Sequence, residues 1–334
     1  MNIYNLLKIN LLIRNPRVKL LGLWLLNVLN KRTLAIFLDP VLACNLRCKM
    51  CYFSDKEKRA NFKGKFTDED LELLSKSLFP SALKLQIGCG AEPTLYPNIE
   101  KIITLGKQYR VPFVSLTTNA NLLTQEKINA FSNAGLDEFI ISLHGVTRAT
   151  YEEFMVGSDY NSFIKNISFI GQAKKQNPNL KLRVNYTFNQ DNFDEIKDIF
   201  SLFNDVQIDV LQLRPINNIG NSAYQNFDLS PLKDKYNVVI EGVKQEAKLR
   251  TTTLLCNDSL TENNIETENI NAIISSYTYC YASPRACWRD DFDFRKETFP
   301  QWSKRTHWKT KIFKNVFRSK KYFEHSKTLK YSVY

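Results

Sequence analysis

Ten residues concentrate the chemistry of this chain: Cys44-Asn45-Leu46-Arg47-Cys48-Lys49-Met50-Cys51-Tyr52-Phe53. The three thiols stand in the order C-x3-C-x2-C and follow an apolar run, Leu34 to Ala43, that reads as a buried strand. Cysteine thiolates hold cubane iron–sulfur clusters. Three of them on one short loop occupy three irons and leave the fourth open, a place for a cofactor or substrate that a fully ligated electron-transfer cluster lacks. A structural zinc site wants four closed ligands, commonly in C-x2-C pairs, and no fourth Cys or His lies close in sequence. Disulfides fit worse, because three is odd and the sequence shows no secretory signal.

The cysteine order directly after a first strand resembles the signature of the radical S-adenosylmethionine (SAM) superfamily. The resemblance covers residues 34–215. Gly88-Cys89-Gly90-Ala91-Glu92-Pro93 resembles the family's Gly-Gly-Glu segment, with Gly90, Ala91 and Glu92 on the matching positions and alanine replacing the second glycine. Ser115 to Asn119 resembles its Thr-Asn-Gly stretch, with Ala120 at the usual glycine, and Ser142-Leu143-His144-Gly145 is similar to its Ser-Leu-Asp/His-Gly.

The resemblance implies a [4Fe-4S] cluster on Cys44, Cys48 and Cys51, with SAM chelated at the open iron. Gly90 and Ala91 would let backbone carbonyls approach the methionyl ammonium, and Glu92 would compensate its charge. Met50, at a position that is usually aromatic, would pack near the adenine; Tyr52 and Asn119 join the SAM contacts, and Ser142 would bond the ribose or carboxylate. Cys89 is expected as a packed thiol near the cofactor. The implied reaction is one-electron reductive cleavage of SAM, fed by a reductant such as a flavodoxin or ferredoxin. It gives methionine and a 5′-deoxyadenosyl radical that takes hydrogen from a substrate. A peptide, sugar or lipid-linked glycan is the expected substrate; the alternative is a non-catalytic Fe–S or zinc binding protein that keeps the fold.

Arg183, Asn185 and Thr187 alternate along one segment and therefore share a face. Apolar helices cover the outside of such a sheet, where three polar groups would be costly to bury, so these residues are expected inside. An arginine binds a carboxylate bidentately; Arg183 is assigned to the SAM carboxylate, in agreement with the family's basic residue on this strand. His144 and Arg214 are the candidates for substrate contact.

Positioning these groups requires a regular frame. Strand patterns cover Leu34–Leu42, Ala82–Gly88, Pro112–Thr118, Asp137–Leu143, Lys181–Phe188 and Gln207–Leu213. Helical patterns separate them, at Asp68–Leu78, Pro97–Tyr109, Gln125–Asn133, Asn161–Lys175 and Phe193–Phe203. Such alternation implies a parallel sheet with right-handed crossovers. Six units are too few to close an eight-stranded barrel, so the fold class is α/β: a partial (β/α)6 TIM-like barrel with a small C-terminal extension and basic terminal helices. The expected divisions are 1–32, a Leu-rich basic helix; 33–215, the barrel; 216–303, the extension; and 304–334, a basic aromatic tail.

In the extension Pro231–Leu249 reads as a helix and 256–271 as a polar loop. Cys256, Cys280 and Cys287 are either ligands of a second Fe–S cluster in a degenerate twitch-like domain or packed thiols. Their spacing does not match the seven-cysteine SPASM pattern or the paired spacing of the molybdenum-cofactor cyclase, and the chain ends Tyr-Ser-Val-Tyr rather than Gly-Gly, so that activity is not expected.

The 334 residues are 43% apolar, with 22 Phe and 15 Tyr, ample for a large core. The net charge of +12 is uneven: residues 1–32 carry six Lys/Arg and no acid, and 304–334 carry ten against Glu324 alone, so the ends hold +15 and the middle −3. Basicity belongs to the termini, and nucleic acid is not an expected partner of the core. Asn15-Pro16 suits a helix N-cap and first position. The helix that follows either packs on the barrel or lies in a membrane interface; its apolar run is too short to span a bilayer. The expected location is cytoplasmic, with peripheral contact at the inner membrane face through the basic ends.

Overall fold

Eight short segments form one parallel sheet in the computed structural model. It describes residues 15–217, 221–257, 259–260 and 270–318, with Tyr4, Asn10, Leu12, Ile13, Ser332 and Val333. The strands are β1 (Leu34–Leu38), β2 (Ala82–Ile87), β3 (Val114–Thr118), β4 (Glu138–Leu143), β5 (Lys181–Phe188), β6 (Val210–Pro215), β7 (Thr253–Cys256) and β8 (Tyr279–Ala282), with Ser332–Val333 (β9) antiparallel on β7. Their order is β8-β1-β2-β3-β4-β5-β6-β7-β9. No ladder joins β8 to the far edge among the described residues, so the barrel stays open. The six expected strands are present. The extension adds β7 beside β6 and β8 beside β1, both parallel. Each of the two is only four residues long and shows no apolar–polar alternation, reading Thr-Leu-Leu-Cys and Tyr-Cys-Tyr-Ala.

Twelve helices surround the sheet among the described residues: α1 (Pro16–Val28), α2 (Lys56–Asn61), α3 (Asp68–Leu78), α4 (Ile99–Gln108), α5 (Gln125–Asn133), α6 (Arg148–Phe154), α7 (Tyr160–Gln176), α8 (Ile199–Leu202), α9 (Lys233–Leu249), α10 (Ile270–Thr278), α11 (Phe299–Arg305) and α12 (Trp308–Val316). Local chemistry sets their ends. Thr67 accepts from the Asp70 N–H at 3.1 Å, and Asp68, Glu69 and Asp70 fill the positive first turn of α3. The helix expected over Phe193–Phe203 begins instead as a 3-10 helix, Phe193–Asp198, before α8.

The register fixes the two faces. Asn185 pairs with Ser142 and with Gln212, Arg183 with Ile140, and Gln86 with Ser115. These positions point into the barrel, while Leu85, Leu116, Phe139, Val184 and Leu211 alternate outward into the main apolar core under the helices. The barrel floor is closed by Tyr4, whose ring packs with Phe113, Val210 and Leu255 and whose hydroxyl donates to Glu138 Oε1.

Asn15 caps α1 as its sequence implies, its side chain accepting from the Arg17 N–H at 2.9 Å. The inner face of α1 buries Leu20 and Leu23, and Trp24 meets Phe313 of α12 with ring centroids 4.9 Å apart. Helices α1 and α12 are thus neighbours. The polar stretch expected as a loop over 256–271 and the tail after Arg318 lie mostly outside the described residues.

Candidate functional site

The polar groups gather at the C-terminal ends of the strands, as they do in barrels generally. The cysteine loop leaves β1 and is pinned before any cofactor is considered. The Arg47 guanidinium donates to Cys44 O and Leu46 O, both at 2.7 Å, while the Arg47 and Lys49 N–H groups donate to Val156 O and Phe154 O at 2.8 Å. The Leu46 N–H meets Cys44 Sγ at 3.4 Å, and Leu46, Met50 and Phe53 are buried anchors.

The three thiols are half-buried. Burial pushes Cys44 up to about 12, Cys48 well above the usual thiol range, and Cys51 up as well. Each thiol therefore holds its proton at neutral pH until a cation compensates the thiolate, which is what iron does. Among the described residues no three His, Cys, Asp or Glu side chains converge to hold a single metal ion. Three soft thiols on one rigid loop suit a multi-iron cluster with an open corner, whereas a structural zinc site wants four closed ligands.

Beside this loop, residues 88–92 are held by two buried carboxylates. Asp39, at the end of β1, accepts from the Cys89 N–H at 2.8 Å, from the Gly90 N–H at 3.1 Å and from the Tyr281 hydroxyl at 3.0 Å. Glu92 accepts from the Thr94 N–H (3.1 Å) and from the Thr94 (2.6 Å) and Thr118 (2.7 Å) hydroxyls on Oε1, and from the Asn119 N–H at 2.8 Å on Oε2. Its own N–H reaches Ala43 O at 2.9 Å. The Tyr52 hydroxyl donates to Gly90 O. A Cβ on Gly90 would lie 2.7 Å from that hydroxyl and 3.1 Å from Asp39, so only glycine lets the segment sit this close. Gly88 has φ +81° and would clash with Thr117 O at 2.6 Å. Ala91 follows at the mouth, and Cys89 lies exposed with its thiol 3.5 Å from Asp39 Oδ2.

Asn119 ties β3 to the cysteine loop, donating to Asn45 Oδ1 at 2.9 Å. Ser142 and Asn185 stand side by side on the inner face, and Arg183 donates to Asn185 Oδ1 at 2.8 Å and to Gln212. Met50 is buried with Phe154 and Ile216, its sulfur accepting from Asn189 Nδ2 at 3.1 Å. Deeper in the barrel Lys84, which sequence patterns did not single out, is pushed down to about 8 by burial and then by Arg183, with Arg214 also felt. Lys84, Arg183 and Arg214 thus concentrate positive charge in a lumen where Glu138 already bonds Tyr4.

His144 follows β4 with Nδ1 sealed from solvent and without a hydrogen-bond partner among the described residues. Burial lowers it from 6.5 to about 4. A base depressed in the folded state leaves that state with fewer protons, so its stability is full above 6.5 and is lost as pH falls toward 4. Urea unfolding at pH 7 and pH 5 should show the parent losing up to about 2 kcal/mol more than His144→Gln; equal losses would remove the buried neutral imidazole from the account.

The remaining cysteines are not brought together. Cys256 on β7 and Cys280 on β8 occupy opposite parallel edges, and both point outward into the buried core. Cys280 feels Cys287, whose backbone bridges Ala282, but Cys256 is not among the charges acting on it.

Sequence reasoning missed Asp39, Tyr281 and Lys84. The first had a signal, an acid followed by Pro40 at the end of an apolar strand. Tyr281 had none, because β8 itself was not legible.

Three comparisons place this geometry among known proteins. The profile described as "Radical SAM superfamily" matches residues 39–203. The "Probable GTP 3',8-cyclase" of Sulfolobus acidocaldarius is 25% identical over 198 residues, 58% of this chain and 61% of that one. The protein of the same name from Methanococcus maripaludis is 33% identical over 126 residues, 37% and 41% of the two chains. The chain thus spans about two fifths to three fifths of the length of the first curated relatives it matches. Among solved structures, Streptococcus suis SuiB bound to S-adenosylmethionine superposes with TM-score 0.62 at 16% identity, over 88% of this chain and 71% of that one. Native anSMEcpe with bound AdoMet gives 0.56 at 16% identity over 86% and 84%. At such identities these likenesses concern the fold.

Proposed function

Because the domain over residues 39–203 belongs to the radical SAM superfamily, we propose that this chain is a radical SAM enzyme whose Cys44, Cys48 and Cys51 hold a [4Fe-4S] cluster beside a SAM site. The observation that carries the reading is the joining of the cysteine loop to the 88–92 segment and to Asn119 at one end of the barrel. Bound together, cluster and SAM supply a 5′-deoxyadenosyl radical for hydrogen abstraction. The chain's own part is positional. Asp39 and Glu92 set the carbonyls of Gly90 and Ala91 for the methionyl ammonium, with Tyr52 holding Gly90 O; Met50 borders the adenine side, and Ser142, Asn185 and Arg183 meet the ribose and carboxylate from the inner sheet face. Apolar walls around Met50 exclude water and stray hydrogen donors.

The substrate is read as a peptide, sugar or lipid-linked glycan, with His144 and Arg214 toward it. A second reading, an anionic nucleotide, is supported by the cations Lys84, Arg183 and Arg214 in the lumen and by the relatives' name. Anaerobic protein should carry about four irons per chain and release 5′-deoxyadenosine from SAM on reduction. Stimulation of that release by a reduced peptide, by a glycan or by GTP decides the class. Zinc in place of iron, with no SAM cleavage, would leave the non-catalytic binding protein instead.

We also infer peripheral contact with an anionic membrane. Val18, Leu21, Leu25 and Leu26 on α1 and Leu29 at its C-cap form an exposed stripe, with Phe317, 70% exposed, at the C-cap of the adjoining α12. Exposed Arg17, Lys31, Lys311 and Lys314 suit lipid phosphates, each worth about 1 kcal/mol near an anionic surface. No helix of the described residues is long and apolar enough to cross a membrane. Phosphatidylserine vesicles should pellet the protein at low salt, and Leu21→Asp/Leu25→Asp should lower the bound fraction several-fold; neutral vesicles binding equally well would oppose the reading.

A further inference from the structure

The segment that carries the cluster loop differs in net charge from the rest of the barrel and extension. Residues 47–65 carry seven Lys/Arg and two acids, a net +5, while the rest of 33–303 sums to −8. The basic residues border an open groove of about 490 Å³ whose wall includes Cys44 itself, with Phe53 and Phe62 at its floor and Lys56 and Lys63 on its rim. Arg47 and Arg59 are spent on loop carbonyls, Arg59 donating to Phe53 O at 2.8 Å. Lys56, Lys63 and Lys65 are exposed and make no ion pair among the described residues.

We propose that this groove is the docking surface for an acidic one-electron carrier protein, delivering electrons through the face where Cys44 comes closest to solvent. The inference rests on the reading of Cys44, Cys48 and Cys51 as cluster ligands and adds where the electron enters. Electron transfer falls steeply with distance, and no other wall need be crossed when a ligand thiol lines the groove. Carrier complexes are small and transient, below about 1,200 Å², and charge complementarity sets their encounter rate and partner choice. The groove has the required composition: a short apolar floor, a basic rim, and a body of opposite charge beyond it. An RNA strand is disfavoured, because Tyr52, Phe53 and Phe62 are packed on one another at 5.0–5.7 Å instead of offering free faces for base stacking.

The test uses the full-length holoenzyme and the double variant Lys56→Glu/Lys63→Glu, with Lys175→Glu on α7 as a distant charge reversal. Calorimetric titration with oxidised flavodoxin should show affinity falling about ten-fold or more in the double variant, with a weaker dependence on salt. Flavodoxin-driven 5′-deoxyadenosine formation should fall in kcat/KM to a similar extent, while dithionite-driven formation and iron content match the parent. Lys175→Glu should behave as the parent in every assay. Unchanged flavodoxin affinity overturns the proposal. An equal fall with dithionite also overturns it, because the lysines would then serve the cluster loop and not a partner. Binding of a poly(U) RNA lost with the same lysines would reassign the face to nucleic acid. A parent that makes no 5′-deoxyadenosine with dithionite points to failure of the enzymatic reading itself, a result separate from all of these.

Discussion

Cys48→Ala should bring 5′-deoxyadenosine formation below about one-thousandth of the parent rate, a loss of at least roughly 4 kcal/mol in barrier terms. Two thiolates cannot replace three on a cubane. The fold should survive. The loop is held by Arg47, by the N–H groups of Arg47 and Lys49 on the segment after α6, and by buried Leu46, none of which involves the thiol. Far-UV circular dichroism should therefore match the parent while iron content collapses. Cys280→Ala is the counterpart: its thiol lies in the core on the outer side of β8, so iron should stay near that of the parent. Loss of about half the iron there would place a second cluster in the extension. Retention of iron and activity in Cys48→Ala would remove the cluster from this loop.

The contrast between these two cysteines follows what the sequence could carry. Cys44, Cys48 and Cys51 are local: their spacing is a property of one loop, and the strand before it is a plain apolar run. Six strands were legible because each is followed by a helix of contrasting period. Polar Arg183 and Asn185 could be placed inside from alternation alone, and the register with Ser142 and Gln212 agrees. What escaped depends on long-range pairing. Whether Cys280 faces the lumen or the helices is decided by which residue of β8 pairs with Phe37, a contact some 240 positions apart in the chain. The same pairing brings Tyr281 to Asp39, so the extension supplies a hydroxyl to the site and continues the barrel sheet. Strand β1 ends four residues earlier than its apolar run suggested, because Pro40 offers no N–H to a ladder and Asp39 turns its carboxylate to the amides of residues 89 and 90. The charge of the termini was readable, but not that α1 and α12 would lie together.

Glu92→Gln tests the other clamp. The resemblance gave Glu92 one duty, compensating the methionyl ammonium; the structure gives it four hydrogen bonds within the protein. An amide of the same shape accepts on one side only. In either orientation its NH2 confronts at least one N–H or hydroxyl donor, the Asn119 N–H on one side or the three Thr donors on the other. Burial raises Glu92 above the usual carboxylate range, and the donors from Asn119, Thr94 and Thr118, which favour the carboxylate, offset part of that rise. Losing charge-assisted bonds and stranding a buried donor should lower stability by about 2–4 kcal/mol in urea unfolding. SAM affinity should fall with it, since Thr94, Thr118 and Asn119 would no longer hold the ends of β2 and β3 together beneath Gly90 and Ala91. Thr94→Val separates the contributions: it removes one hydroxyl from Oε1 and leaves the charge, so it should lose about 1 kcal/mol and retain most SAM binding. If Glu92→Gln instead unfolds within about 0.5 kcal/mol of the parent and loses only SAM binding, the carboxylate acts on the ligand directly and the clamp is incidental.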